Sequence, residues 1–455
     1  MSWLEVVDGL IPEQYILTLV LFFSTAITVT LLLIPTRFPK HRASVQVVVL
    51  GDIGRSPRMQ YHALSLAKNL VNVELIGYQE SDIHPKLLQS RFVKIVPLVA
   101  APRWLQTSNK LLFLLLAPIK VVWQIVALYW VLAYRCDPAE WMLVQNPPSI
   151  PTLAVADIIC YFRNTKLIID WHNFGYSILG LKLGANHRLV AIAKAYERIC
   201  ARPAFAHLTV TDAMSRVLKR DFGLKALTLH DRPADHFKVL TLREREAVVR
   251  RLPQTKEFAD EILQRRRFIL VSPTSWTPDE DFMILLEALV VHSARVRGYV
   301  MGAPRLLVII TGKGPQKQYY EKVIKDLEPQ LEHVHIETAW LSMEDYAALL
   351  GAADLGISLH TSSSGVDLPM KVVDMFGAGL PVAGWSEYES WPELVTEGVN
   401  GVGFNSAESL ADKLRELLVT GRVVPLREGA SWEGKKRRWE DEWNPVMGRL
   451  LGLTT

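Results

Sequence analysis

The chain has 455 residues, of which 49% are hydrophobic and 22% charged, and its formal net charge is +4. That length exceeds one core and points to two or three domains. The hydrophobic share excludes a disordered chain, and the small net charge excludes the dense basic stripe of a nucleic-acid binder. Three cysteines, Cys136, Cys160 and Cys200, stand at no metal-like spacing. They read as thiols in a reducing compartment, not as a disulfide framework.

Residues 15–34, YILTLVLFFSTAITVTLLLI, carry no charge and are long enough to cross a hydrocarbon core of about 30 Å. Glu5, Asp8 and Glu13 precede the run, and Arg37, Lys40 and Arg42 follow it. A cleaved signal would have a shorter run, preceded by basic residues. The charge order therefore predicts a retained single-pass anchor within 1–40, with the C-terminal body in the cytosol.

From Val45 onward, β-branched runs alternate with turns and amphipathic stretches, as in βαβ units of parallel sheets. Strands are expected at 46–50, 73–76, 92–96, 141–144, 166–169 and 208–210, and again at 268–271, 306–310, 334–336, 355–359 and 381–383. Between the two sets, 243–267 is rich in Arg and Glu and has no strand signal. The expected fold class is α/β, with two Rossmann-like domains facing a cleft and an N-terminal transmembrane helix. The domains are placed at 41–235 and 236–420, with a helical tail at 421–455. The stretch 111–134, LLFLLLAPIKVVWQIVALYWVLAY, breaks the pattern. Three readings stay open for it: a buried helix of the first domain, a helix lying on the membrane, and a second crossing.

Ligands of open α/β sheets bind beyond the carboxyl ends of the strands. The first strand runs into Gly51-Asp52-Ile53-Gly54-Arg55-Ser56-Pro57-Arg58, a glycine turn opening a helix, where Gly54 would let a ligand reach backbone N–H groups. The fifth runs into Asp170-Trp171-His172-Asn173, with His172 a candidate general base. In the second half, Thr311-Gly312-Lys313-Gly314-Pro315 forms a glycine turn in which Lys313 suits an anion. The loop Ser362-Ser363-Ser364-Gly365-Val366-Asp367 leads into a helix with Pro369 at its start, as helix starts favour. Its amides from Ser364 and Gly365 to Asp367 suit a diphosphate, Lys371 adds charge, and Asp374, one turn inside, could accept two ribose hydroxyls.

The pattern Gly-x-Gly-Pro followed by Pro-x-Lys-x-x-Asp-x-x-x-x-Gly-x-Pro-Val, at 312–315 and 369–382, resembles the donor half of GT-B glycosyltransferases. Glu397-Gly398-Val399-Asn400-Gly401 matches the turn that follows it. The stretches 51–62, 170–173 and 274–282 are similar to the chitobiosyldiphosphodolichol β-mannosyltransferase family, and the likeness covers roughly 45–420. It implies GDP-mannose as donor, GlcNAc2-diphosphate-dolichol as acceptor, and inversion to a β-1,4 linkage, on the cytosolic face of the endoplasmic reticulum membrane. No carboxylate cluster in the sequence looks like a magnesium site, so neither cofactor nor metal is expected, and a complex with other transferases of lipid-linked oligosaccharides stays open. The base is expected from His172 or Asp52, with no choice between them. Where wider relatives carry Arg and Lys after the first donor strand, this chain has Ser272-Pro273-Thr274-Ser275-Trp276. Ser275, Lys313 and Lys371 would then answer the diphosphate. Arg58, Arg103, Lys110 and Lys120 are placed on the acceptor side, the last three at headgroup level.

Overall fold

The structure is a computed structural model, and it describes residues 18, 20–28, 44–105, 110–277, 280–296, 305–436 and 438–454. Residues 18 and 20–28, inside the expected anchor, are helical and exposed. The rest of that segment and its flanking charges lie outside the described residues.

Two parallel sheets organise the chain. The first has strands β1 (Ser44–Asp52), β2 (Asn72–Tyr78), β3 (Val93–Pro97), β4 (Trp141–Asn146), β5 (Lys166–Trp171), β6 (Ala206–Thr209) and β7 (Leu227–Thr228), in the order β3-β2-β1-β4-β5-β6-β7. The second has β8 (Arg267–Pro273), β9 (Arg305–Thr311), β10 (Val334–Ala339), β11 (Leu355–Ser358), β12 (Val382–Trp385) and β13 (Gly401–Phe404), in the order β10-β9-β8-β11-β12-β13. The central strands are almost continuously buried: Leu306 to Ile310 of β9 are all 0% exposed. Apolar runs without alternation are what a parallel sheet covered on both faces requires. By internal contacts the chain forms two compact units, 1–169 with 196–205, and 170–195 with 206–455.

Two strands go beyond the sequence expectation. β7 is only two residues long and carries no periodicity. β13 is Gly-Val-Gly-Phe, in a stretch that reads as a turn because glycine is depleted in strands. Gly403 is needed there, since a Cβ would lie 2.7 Å from the Ser386 side chain.

The apolar stretch forms a helix, Lys110–Trp130, that continues as a π-helical turn, Val131–Arg135. Leu116–Arg135 is long and apolar enough to cross a membrane, yet only 22% of its most apolar part is buried. Of the three readings open for it, this exposure weighs against a helix buried along its whole length. Leu128, Val131 and Leu132 are enclosed, whereas Val122, Val126 and Trp130 are 57–61% exposed. The C-terminal end is tied down by Arg163, itself 1% exposed, which donates to the carbonyls of Ala133 (2.6 Å) and Cys136 (3.0 Å). Those bonds satisfy carbonyls that a helix end leaves open.

Two histidines are sealed in the second unit. His207 accepts a hydrogen bond from Trp171 Nε1, and burial lowers its pKa to about 4. His292, 1% exposed and with neither ring nitrogen hydrogen-bonded among the described residues, is likewise lowered to about 4, by burial first and then by Arg295. Both favour the neutral ring in the folded state, so stability is full above the ordinary histidine pKa and falls as pH drops toward 4. Each should cost roughly 2 kcal/mol at pH 5 relative to pH 7. Denaturant melts at the two pH values should show the fall, and His292→Leu should shrink it by about half. An unchanged pH difference in the variant would rule out His292 as a source.

Candidate functional site

In an open α/β sheet the ligand crevice lies where strand order reverses. In the second sheet that point falls between β8 and β11, and the turn after β8 is built for close approach. Thr274 donates from its backbone to Thr311 O (2.7 Å), and Thr274 Oγ1 caps Trp276 N (2.7 Å). Trp276 sits at φ +49°, fully buried and stacked on Phe282 at 4.7 Å between ring centroids. The next turn presses on this one. Gly312 has φ +144°, and a Cβ there would lie 1.9 Å from Thr274 O; at Gly314 it would lie 1.8 Å from Ser275 O.

One carboxylate gathers this corner. Glu280, 5% exposed, accepts from Thr274 Oγ1 (2.5 Å), Ser275 N (2.9 Å) and Lys371 Nζ (2.6 Å). Lys371 Nζ also lies 3.4 Å from Ser275 Oγ. Ser275 and Lys371 are thus brought together beside the switch point, and the ammonium is already paired. Lys371 sits in the first turn of the helix Met370–Gly377, whose N-terminus has no side-chain cap. A lysine beside a helix start is chemistry that suits an anion.

A second carboxylate orders the loop before that helix. Asp367, 7% exposed, accepts from Asn173 Nδ2 (3.0 Å), pairs with His360 Nε2 (3.1 Å), and is bonded by Ser362 and, at 3.4 Å, Ser364. Burial alone would raise its pKa. The bonds and charge of His360 and the Ser362 hydroxyl outweigh burial and hold the carboxyl below the usual range. Asn173 has every bond filled: Nδ2 also donates to Ser363 Oγ (3.0 Å), while Oδ1 accepts from Phe174 N (2.7 Å) and Ser177 Oγ (3.3 Å). Gly365, at φ +74°, shapes the loop and accepts at its carbonyl from Glu389 N.

Of the two base candidates, His172 stands beside Asn173 at the end of β5. Its Nε2 is 2.9 Å from Asp170 Oδ2; His172 is 22% exposed and Asp170 0%. A partly open imidazole oriented by a buried carboxylate is the geometry of a general base. Asp52 belongs to the first unit and caps two turns, accepting at Oδ1 from the N–H groups of Gly54 (3.3 Å), Glu80 and Ser81 (3.1 Å each). Burial works to raise its pKa, but the bonds from Ser81, Glu80 and Gly54 leave it lowered.

The other expected residues are scattered. Gly54 packs its Cα against the backbone of Ser81 and Asp82. Lys313 is exposed, its ammonium 4.2 Å above the ring of Trp340. Asp374 touches solvent only in part. Its enclosed carboxyl is pushed well above the usual range by burial and then by Asp231, with Lys371 opposing. Arg58 is 1% exposed, Lys120 is half-buried, and the side chains of Arg103 and Lys110 lie outside the described residues. Asn173, His360 and Glu280 are not among the expected site residues; Asn173 and Glu280 stand inside stretches the sequence marks, and His360 lies between the strand at 355–359 and the loop that starts at Ser362. One group among the described residues has metal-ligand types, Asp212, His230 and Glu393. Both Glu393 oxygens there accept backbone N–H groups of Asp212 (2.6 Å) and Ala213 (2.7 Å), which caps the helix Asp212–Val217.

Residues 254–437 match the family described as Glycosyl transferases group 1. The chain is 47% identical to the chitobiosyldiphosphodolichol beta-mannosyltransferase of Arthroderma benhamiae, over 93% of this chain and 95% of that protein. It is 41% identical to UDP-glycosyltransferase TURAN of Arabidopsis thaliana, over 90% and 97%. The crystal structure of HepE from Anabaena in complex with UDP-glucose shares the fold, with a TM-score of 0.64 at 14% identity over 90% of this chain and 100% of that one. The two parallel Rossmann-like sheets, the family match and the shared fold define a glycosyltransferase of the GT-B fold. Within that class, the chain belongs to the chitobiosyldiphosphodolichol beta-mannosyltransferase family.

The contact between turns gives a direct check. Gly312→Ala should destabilise the protein by about 1–3 kcal/mol, as overpacking does, and should weaken nucleotide binding by displacing Thr274 and with it the Ser275 that follows. A melting temperature within about a degree of wild type would show that the turns do not press on each other.

Proposed function

We propose that the protein transfers mannose from GDP-mannose to GlcNAc2-diphosphate-dolichol with inversion, forming a β-1,4 linkage at the cytosolic face of the endoplasmic reticulum membrane. The acceptor is the one that the names of its relatives carry. The observation that carries the chemistry is the pairing of His172 with buried Asp170, one residue from Asn173 and so from the Asp367 loop.

In this reading His172 takes the proton of the acceptor hydroxyl while its oxygen attacks the anomeric carbon of the mannose. The bond from that carbon to the diphosphate oxygen breaks, and GDP leaves with the electron pair. Lys371, Ser275 and the loop amides of Ser364 to Asp367 receive the negative charge that develops there. Asp52 is the weaker base, because its carboxyl is held ionised by three backbone donors.

The test uses the full-length chain in detergent with GDP-mannose, UDP-sugars and a chitobiosyl diphospholipid. Transfer from GDP-mannose to a β-linked product is expected. Transfer from a UDP-sugar alone would overturn the donor and side with the name of the Arabidopsis relative. His172→Ala and Asp170→Asn should each lower kcat about 100- to 10,000-fold with little change in donor KM. A normal rate in both variants would remove the pair from catalysis.

The exposed apolar helix supports a membrane-facing acceptor side. A double change, Val122→Gln with Val126→Gln, alters two exposed positions one turn apart. It should weaken liposome binding about tenfold or more, at about 1.5 kcal/mol or more per apolar side chain no longer buried. Turnover of a short soluble acceptor and the melting temperature should hold. Equal loss of both activities with a lowered melting temperature would assign the helix to the core.

A further inference from the structure

The second sheet presents an exposed tryptophan where a nucleotide would need a partner. Strands β8, β9 and β10 end in register, with Pro273 opposite Thr311 and Thr311 opposite Ala339. The turns that follow therefore stand side by side: Thr274–Ser275, Gly312–Gly314, and Trp340. Gly312 N donates to Ala339 O at 3.0 Å, which binds the second turn to the third. Trp340 is 61% exposed, although a tryptophan at a strand end is ordinarily drawn into a core. Lys313 is exposed too, and among the described residues it has no carboxylate partner; its ammonium rests 4.2 Å over the Trp340 ring.

We infer that Trp340 and Lys313 form the nucleobase seat of the donor site, with Trp340 as stacking platform and Lys313 as the donor that reads the base edge. The inference rests on the nucleotide-sugar reading of the second unit and adds to it the end that holds the base. The distances fit a nucleotide laid across the strand ends. Lys371 and Ser275 mark the diphosphate end beside β8, and β10 lies two strands away. At about 4.8 Å per strand, that is roughly 10 Å, a gap that a ribose bridges. Gly312 and Gly314 line the way between the two ends, where a side chain at either would collide with the neighbouring turn.

The chemistry of the pair favours guanine over adenine. An indole face accepts any base by stacking. A lysine is only a donor, so it suits the O6 and N7 acceptors of guanine and meets the N6 amino donors of adenine unfavourably. Lys313 thus moves from the diphosphate, where the sequence pattern set it, to the base. The diphosphate is left to Lys371, Ser275 and the loop amides.

The experiment is calorimetry on the full-length chain with GDP, ADP, UDP and inorganic diphosphate. Trp340→Ala should weaken GDP roughly 5- to 150-fold, the conversion of about 1–3 kcal/mol of base–aromatic stacking. It should leave inorganic diphosphate unchanged, and Trp340→Phe should retain most of the GDP affinity. Lys313→Met should erase the preference for GDP over ADP. Unchanged GDP affinity in Trp340→Ala, or an equal loss for inorganic diphosphate, would overturn the seat. If the wild type binds UDP in place of GDP, the GDP-mannose reading and the guanine contact fall together. The platform then stands only if Trp340→Ala weakens UDP.

Discussion

The carboxylate of Asp367 holds the candidate site in one piece. It takes hydrogen bonds from residues almost two hundred positions apart, Asn173 after β5 and the serines and His360 of its own loop. A buried carboxylate without donors would be costly enough to distort the loop. With them, it fixes the loop that leads into the helix Met370–Gly377. His172 precedes Asn173 directly, so the same bonds limit where the imidazole can stand. The placement of the proposed base and the shape of the loop before the helix Met370–Gly377 follow from one desolvated charge and its partners.

Glu280 plays a comparable part on the other side of that helix start. Its carboxylate neutralises Lys371 before any ligand arrives, while tying down Thr274 and Ser275. A diphosphate bound there, as proposed, would compete with a charge already in place. That arrangement keeps a long, flexible lysine ordered, and it trades some attraction for the anion against the entropy of fixing the side chain.

Most of the architecture was legible because parallel sheets write themselves into sequence as uninterrupted apolar runs. Eleven of the thirteen strands carry that mark; β7 is too short to show it, and β13 is disguised by Gly401 and Gly403. The long apolar helix was ambiguous for a physical reason. Composition measures how apolar a surface is, not whether anything covers it, and only the packed structure separates Leu128 from Val126. In the candidate site, residue types pointed to His172, Lys371 and Asp367. They could not reveal Glu280 or Asn173 as organisers, since those roles consist of bonds to distant segments. Asp374 looked like an open acceptor one turn into its helix, and its enclosure beside Asp231 depends on packing that no local pattern encodes.

Arg163 ties the apolar helix to the fold through two carbonyls, and that bond has a mechanical meaning. The guanidinium ends the helix Thr152–Arg163, which follows β4, and β4 lies against β1 at the switch point of the first sheet. A torque on the apolar helix passes through this rivet into the helix behind β4, with no loop between them to absorb it. Any displacement of the apolar helix is thereby shared with the helix behind β4 and, through that strand, with β1, which ends at the turn that begins at Asp52.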